Sequence, residues 1–99
     1  MAGFELTRDG DGRLAARGEL GFPTAAAALR AGEAEIRGRG DQVVDLGGVT
    51  SGDSAGVAVL VEWAAVARAA GARVRYERIP AQMLAIARIS DLEDLLLRS

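Results

Sequence analysis

The chain has 99 residues, with 14 acids against 12 bases and a formal net charge of −2; every base is arginine, and His, Cys, Lys and Asn do not occur. Without Cys there is no disulfide framework, thiol nucleophile or thiolate zinc site, and without His no imidazole base or ligand. Without Lys there is no P-loop lysine and no Schiff base. The length fits a single domain over residues 1–99, too small for a large enclosed active-site cavity, and the interspersed charges give no nucleic-acid footprint. The longest apolar run, Ala55–Val61, falls far short of the roughly 20 residues that a membrane span needs. Met1–Glu5 lacks the basic and then apolar start of a signal segment, so a soluble, non-secreted protein is expected.

Phe4–Arg8 alternates apolar and polar residues with the period of a half-buried strand. Asp9-Gly10-Asp11-Gly12 supplies a tight connection, and Arg13–Arg17 alternates again, which together predict a β-hairpin. Pro23 suits a first helical turn. The helix it opens runs to about Arg37, with Ala26, Leu29, Ala34 and Ile36 expected inward, and Gly38 and Gly40 stop it. Gln42–Leu46 reads as a short strand and Gly47–Gly52 as a loop. A long helix is expected from about Asp53 to Ala70, then a strand over Arg73–Glu77 and a helix over Pro80–Ile89. Ser90-Asp91-Leu92-Glu93 fits a capping box, so a last short helix is expected there, fastened by Leu95, Leu96 and Leu97.

The order ββαβαβαα makes an α/β domain with a four-stranded mixed sheet. The hairpin pair is antiparallel, and the remaining pairs are parallel through right-handed crossovers. If spatial order follows chain order, both crossover helices lie on one sheet face and the other face meets water, as the strand alternation requires.

Two catalytic patterns overlap at the start of the long helix. Gly52-Asp53-Ser54-Ala55-Gly56 matches the nucleophile elbow G-x-S-x-G, but no His exists to take the serine proton, and a six-residue loop is expected in place of a sharp turn. Gly47–Ser54 matches the phosphate-binding loop G-x-x-x-x-G-K-[ST] except that Asp53 replaces the lysine, which puts an anion where phosphates would sit.

The same stretch, Val43-Val44-Asp45-Leu46 through Gly47–Gly52 to Asp53-Ser54-Ala55-Gly56-Val57-Ala58-Val59-Leu60, resembles the signature of STAS domains (sulfate transporter and anti-sigma factor antagonist). That signature is a strand ending in Asp-Leu, a short loop with a central Val, and Asp-[Ser/Thr]-x-Gly opening an apolar helix. One departure is Ser51-Gly52, where the family usually carries a larger apolar residue, so looser packing is expected there. Arg17-Gly18-Glu19-Leu20, Ala69-Ala70-Gly71-Ala72 and Leu84–Leu92 further resemble the MlaB-type subunits of phospholipid-transport ABC systems. That resemblance implies a non-enzymatic adaptor without a cofactor, bound to the cytoplasmic ABC-transporter ATPase subunit and so peripheral at the inner membrane. A second branch, the anti-sigma factor antagonists, implies phosphorylation at Ser54 by an anti-sigma factor serine kinase. A homodimeric or ligand-sensing module is a third alternative.

Ser54 lies at a first helical turn, where backbone N–H groups lack partners and the dipole end is positive, so Asp53 or Ser54 is expected to cap the helix. Val57, Leu60, Ala64 and Ala67, flanked by Val61 and Trp63, form the inward stripe. The opposite side carries Ala58, Val59, Glu62, Ala65, Val66 and Ala69, with Glu62 the one charge between Ser54 and Ala67. So apolar an outer side needs cover, either from the third helix or from a partner. The partner-binding candidates are therefore Asp53, Ser54, Ala55, Val59 and Glu62.

Overall fold

The structure, a computed structural model, describes residues 3–98; Met1 and Ala2, part of the segment read as lacking a signal, lie outside that range. The predicted element order holds: β1 (Phe4–Arg8), β2 (Leu14–Leu20), α1 (Ala25–Ile36), β3 (Gln42–Gly52), α2 (Ser54–Ala69), β4 (Val74–Glu77), α3 (Ala81–Ile89) and α4 (Glu93–Arg98). The four strands lie side by side in chain order. β1 and β2 are antiparallel, β2–β3 and β3–β4 parallel.

Period-two alternation decides which face is covered. Leu14, Ala16, Val44, Leu46, Val74 and Tyr76 are buried, whereas Ala15, Asp45 and Glu77 between them are half-buried and Arg75 is exposed. The helices pack on the first face, and the second meets water, as the alternation predicts. Trp63 is fully buried: its indole Nε1–H donates to the Ala28 carbonyl at 3.2 Å, and its ring lies 6.1 Å from that of Phe4. It is a core residue with a satisfied polar tip.

Four expectations need correction. Residues 47–52 are not a loop. They continue β3, pairing Arg17 with Gly48, Gly18 with Val49 and Leu20 with Gly52, with register shifts on either side of Arg17–Gly18. The neighbouring β2 offers hydrogen-bonding groups as far as Leu20, and that pairing outweighs the weak strand preference of glycine. In α1 the buried residues are Ala28, Gly32 and Ile36, while Ala26 and Ala34 are exposed and Leu29 is half-buried. The indole of Trp63 decides this, because a Cβ at Gly32 would lie 2.0 Å from its Nε1. Ser90 does not open α4: it closes α3, its backbone N–H bonding the Ile86 carbonyl, and Asp91 follows with φ 59°. Glu93 instead accepts from Arg88 at 2.7 Å. Of the three leucines, Leu96 is buried and Leu95 and Leu97 are exposed.

Candidate functional site at the start of α2

β3 ends at Gly52 and α2 begins at Ser54, so Asp53 alone makes the turn from strand to helix. The geometric objection to a nucleophile elbow therefore falls, while the chemical one stands, since the sequence holds no His to activate Ser54. Asp53 is the N-cap. Its Oδ1 accepts from the N–H of Ala55 at 2.9 Å and of Gly56 at 3.1 Å. Its Oδ2 accepts the N–H of Phe22 at 3.1 Å, thirty-one positions away in the turn that leads into α1. The Phe22 N–H first, and then that of Gly56, hold the Asp53 carboxyl below the usual carboxylate range.

With Asp53 capping, the hydroxyl of Ser54 is bonded to none of the described residues, and Ser54 is exposed beside the cap. The glycine of the motif has a packing reason. A Cβ at Gly56 would lie 2.0 Å from the Leu20 carbonyl oxygen, so only glycine lets α2 start this close to the end of β2. Ser51-Gly52 does not loosen the packing. A Cβ at Gly52 would lie 2.5 Å from the sulfur of Met83, a fully buried α3 residue that occupies the space a larger side chain would take.

Cover for the outer side of α2 is partial, and at Val59 it comes from α1, a helix the sequence did not nominate. Ala25, Ala26 and Leu29 of α1 face Ala55, Ala58 and Val59 of α2 across an open groove of about 320 Å³, which Glu62 also lines. Val59 is 4% exposed and belongs to the core as well as to the groove, whereas Ala58, Glu62, Ala65 and Ala69 remain exposed in a narrow strip. α3 packs on the other flank. The structure therefore brings Asp53, Ser54 and Ala55 together at one helix end and places Glu62 two turns further along. Sequence reasoning missed Phe22, which is 82% exposed and tied to Asp53. Its signal was an aromatic between Gly21 and Pro23, where no core element is expected.

On the open face, Asp45 accepts from Nε of Arg78 at 2.9 Å and also from its Nη2, and takes the Gly47 N–H at 2.9 Å. Arg78, with φ 55°, sits in the connection after β4, and its side chain is 70% exposed. Its guanidinium holds the Asp45 carboxyl below the usual range. Arg13 and Arg75 both pair with Glu77 beside it.

A mixed four-stranded sheet with helices on one face defines an α/β domain, and its capped helix start carries a serine hydroxyl bonded to none of the described residues. A family model described as "Mlab, STAS domain" matches residues 5–98. The chain belongs to the STAS domain family and is MlaB-like. Domains of this family are in general adaptors or antagonists, not enzymes. None of the curated proteins compared with the chain matches it. Among the described residues no helix is long and apolar enough to cross a membrane.

Proposed function

We propose that this chain is a non-catalytic adaptor that binds the ATPase subunit of a phospholipid-transport ABC complex on its cytoplasmic side. By stabilising the ATPase fold or dimer it would control ATP turnover in its partner. The observation that carries this reading is the match of nearly the whole chain, residues 5–98, to the MlaB-type description. Two features of the helix start agree with it. Ser54 is exposed with its hydroxyl bonded to none of the described residues, and the apolar groove of Ala55, Ala58 and Val59 opens at the very next residue. The contact is centred on Ser54 and Ala55, beside the cap that Asp53 makes, and continues along the groove past Val59 and Glu62 and onto the neighbouring α3.

The test is co-expression of the ATPase with Ser54→Arg. Loss of co-purification is expected, because a guanidinium would project from the centre of the contact. Full retention would remove the helix start from the interface.

A second reading, an anti-sigma factor antagonist switched by phosphorylation at Ser54, draws support from the same exposed hydroxyl. A phosphate there would meet the positive end of α2 but also the Asp53 carboxylate, and so would act by repelling a partner. Incubation with the cognate kinase, followed by mass measurement, separates the two. A phosphorylated Ser54 favours the antagonist, and an unmodified chain that binds the ATPase favours the adaptor.

A further inference from the structure

The chain has four aromatic residues. Trp63 and Tyr76 are buried and Phe4 packs half-buried on Trp63, but Phe22 is 82% exposed. A single exposed apolar side chain is ordinary. What sets Phe22 apart is how firmly its backbone is held. The Gly21 N–H donates to Oγ1 of Thr24 at 3.1 Å, and the Thr24 hydroxyl donates to the Glu19 carbonyl at 2.8 Å. The Thr24 N–H returns to the Gly21 carbonyl at 3.0 Å, and Pro23 fixes the φ angle between them. The Phe22 N–H itself goes to Asp53 Oδ2. Gly21 leaves room for that carboxylate, since a Cβ there would lie 2.8 Å from Oδ2.

Asp53 thus divides its oxygens. Oδ1 caps α2 and Oδ2 holds the Phe22 turn, which leaves the carboxylate occupied by its own chain. We propose that Phe22 is a partner-contact residue whose ring enters an apolar pocket of the ATPase, and that Asp53 is a positioning residue that acts through Phe22.

The inference rests on the adaptor reading above and adds a residue and a division of labour to it. The partner chemistry follows from the surroundings. Glu19 borders the small cleft beside the turn and pairs with no base among the described residues, whereas Asp53 across the cleft has given its oxygens to backbone N–H groups. The pocket that receives the ring therefore carries Arg or Lys at its rim. A large side chain on a pinned turn loses little conformational freedom when it docks, which is the condition for a dominant contact.

The experiment titrates the ATPase with the full chain and follows thermal unfolding of the same variants. Phe22→Ala is expected to weaken binding about tenfold or more, in the range of a hot-spot truncation, with the melting temperature unchanged. Phe22→Tyr restores affinity. Asp53→Asn keeps one carbonyl oxygen to cap α2 but loses the second acceptor for Phe22. It is expected to weaken binding in the wild-type background and to add nothing in the Phe22→Ala background. Wild-type affinity in Phe22→Ala overturns the proposal. So does an Asp53→Asn effect that persists undiminished without Phe22, because Asp53 would then touch the partner itself. If the wild type binds and Ser54→Arg does not, while Phe22→Ala binds normally, only this inference falls. If the wild type does not bind the ATPase at all, the adaptor reading falls with it.

Discussion

Asp45 and Asp53 lie eight positions apart in one motif, and both have carboxyls held below their usual range. Their causes differ. Asp53 gathers backbone N–H groups from two segments distant in sequence and so fixes where α2 and the Phe22 turn meet. Asp45 mainly holds Arg78, a guanidinium 70% exposed at the end of a long flexible side chain. A carboxylate bonded to backbone fixes a chain path; one bonded to an exposed arginine contributes little, because water screens the pair and the side chain loses freedom. The covered end of the sheet is built, and the open face is decorated.

Each of the following changes tests that contrast, beginning with the largest expected effect. Gly56→Ala gains about 1 kcal/mol of helix preference but places a methyl on the Leu20 carbonyl. Backbone cannot step aside as a side chain can, so a net loss of about 2 kcal/mol or more is expected in urea unfolding. Asp53→Ala removes the cap and the tie to Phe22, and is expected to cost about 1–2 kcal/mol by the same measurement. Tyr76→Phe takes away a buried hydroxyl that donates to the Leu60 carbonyl, for a loss of about 1 kcal/mol. Arg78→Ala, on the open face, is expected to leave the urea unfolding midpoint essentially unchanged. An Arg78→Ala effect as large as that of Asp53→Ala would erase the distinction between the two regions.

Acid sharpens the comparison. The Asp53 carboxyl is lowered on folding, so its contribution is complete above the unfolded value of 3.8 and is lost as pH falls through the lower folded value. Wild type is therefore expected to lose melting temperature below about pH 4 more steeply than Asp53→Asn, which has no carboxyl to protonate. Parallel curves would show that this cap does not contribute to acid stability.

Much of this was legible in the sequence. Strand alternation and the stops at Gly38, Gly40 and Gly71 set the element order, and chain-order topology then put the helices on one face. Residues 47–52 were misread because local glycine content argued for a loop, while the pairing groups that hold them straight belong to β2. The face of α1 was misread because four alanines in a row, Ala25–Ala28, carry no pattern; the contact with Trp63 selects Ala28 and Gly32. Asp53 and Ser54 were found from their place before an apolar run. Phe22 was not, because its role depends on a bond to a residue thirty-one positions away.

The central claim is that the start of α2 is the surface this domain offers to its partner and that the open face is not. The most direct measurement is one ATPase titration of three proteins: the wild type, Ser54→Arg at the helix start and Arg75→Glu on the open face. Both substituted positions are exposed, and a cation at the helix N-terminus costs at most about 1 kcal/mol of stability, so both chains stay folded. The account predicts that Ser54→Arg loses binding while Arg75→Glu binds as the wild type does. Loss with Arg75→Glu and unchanged binding with Ser54→Arg would contradict it.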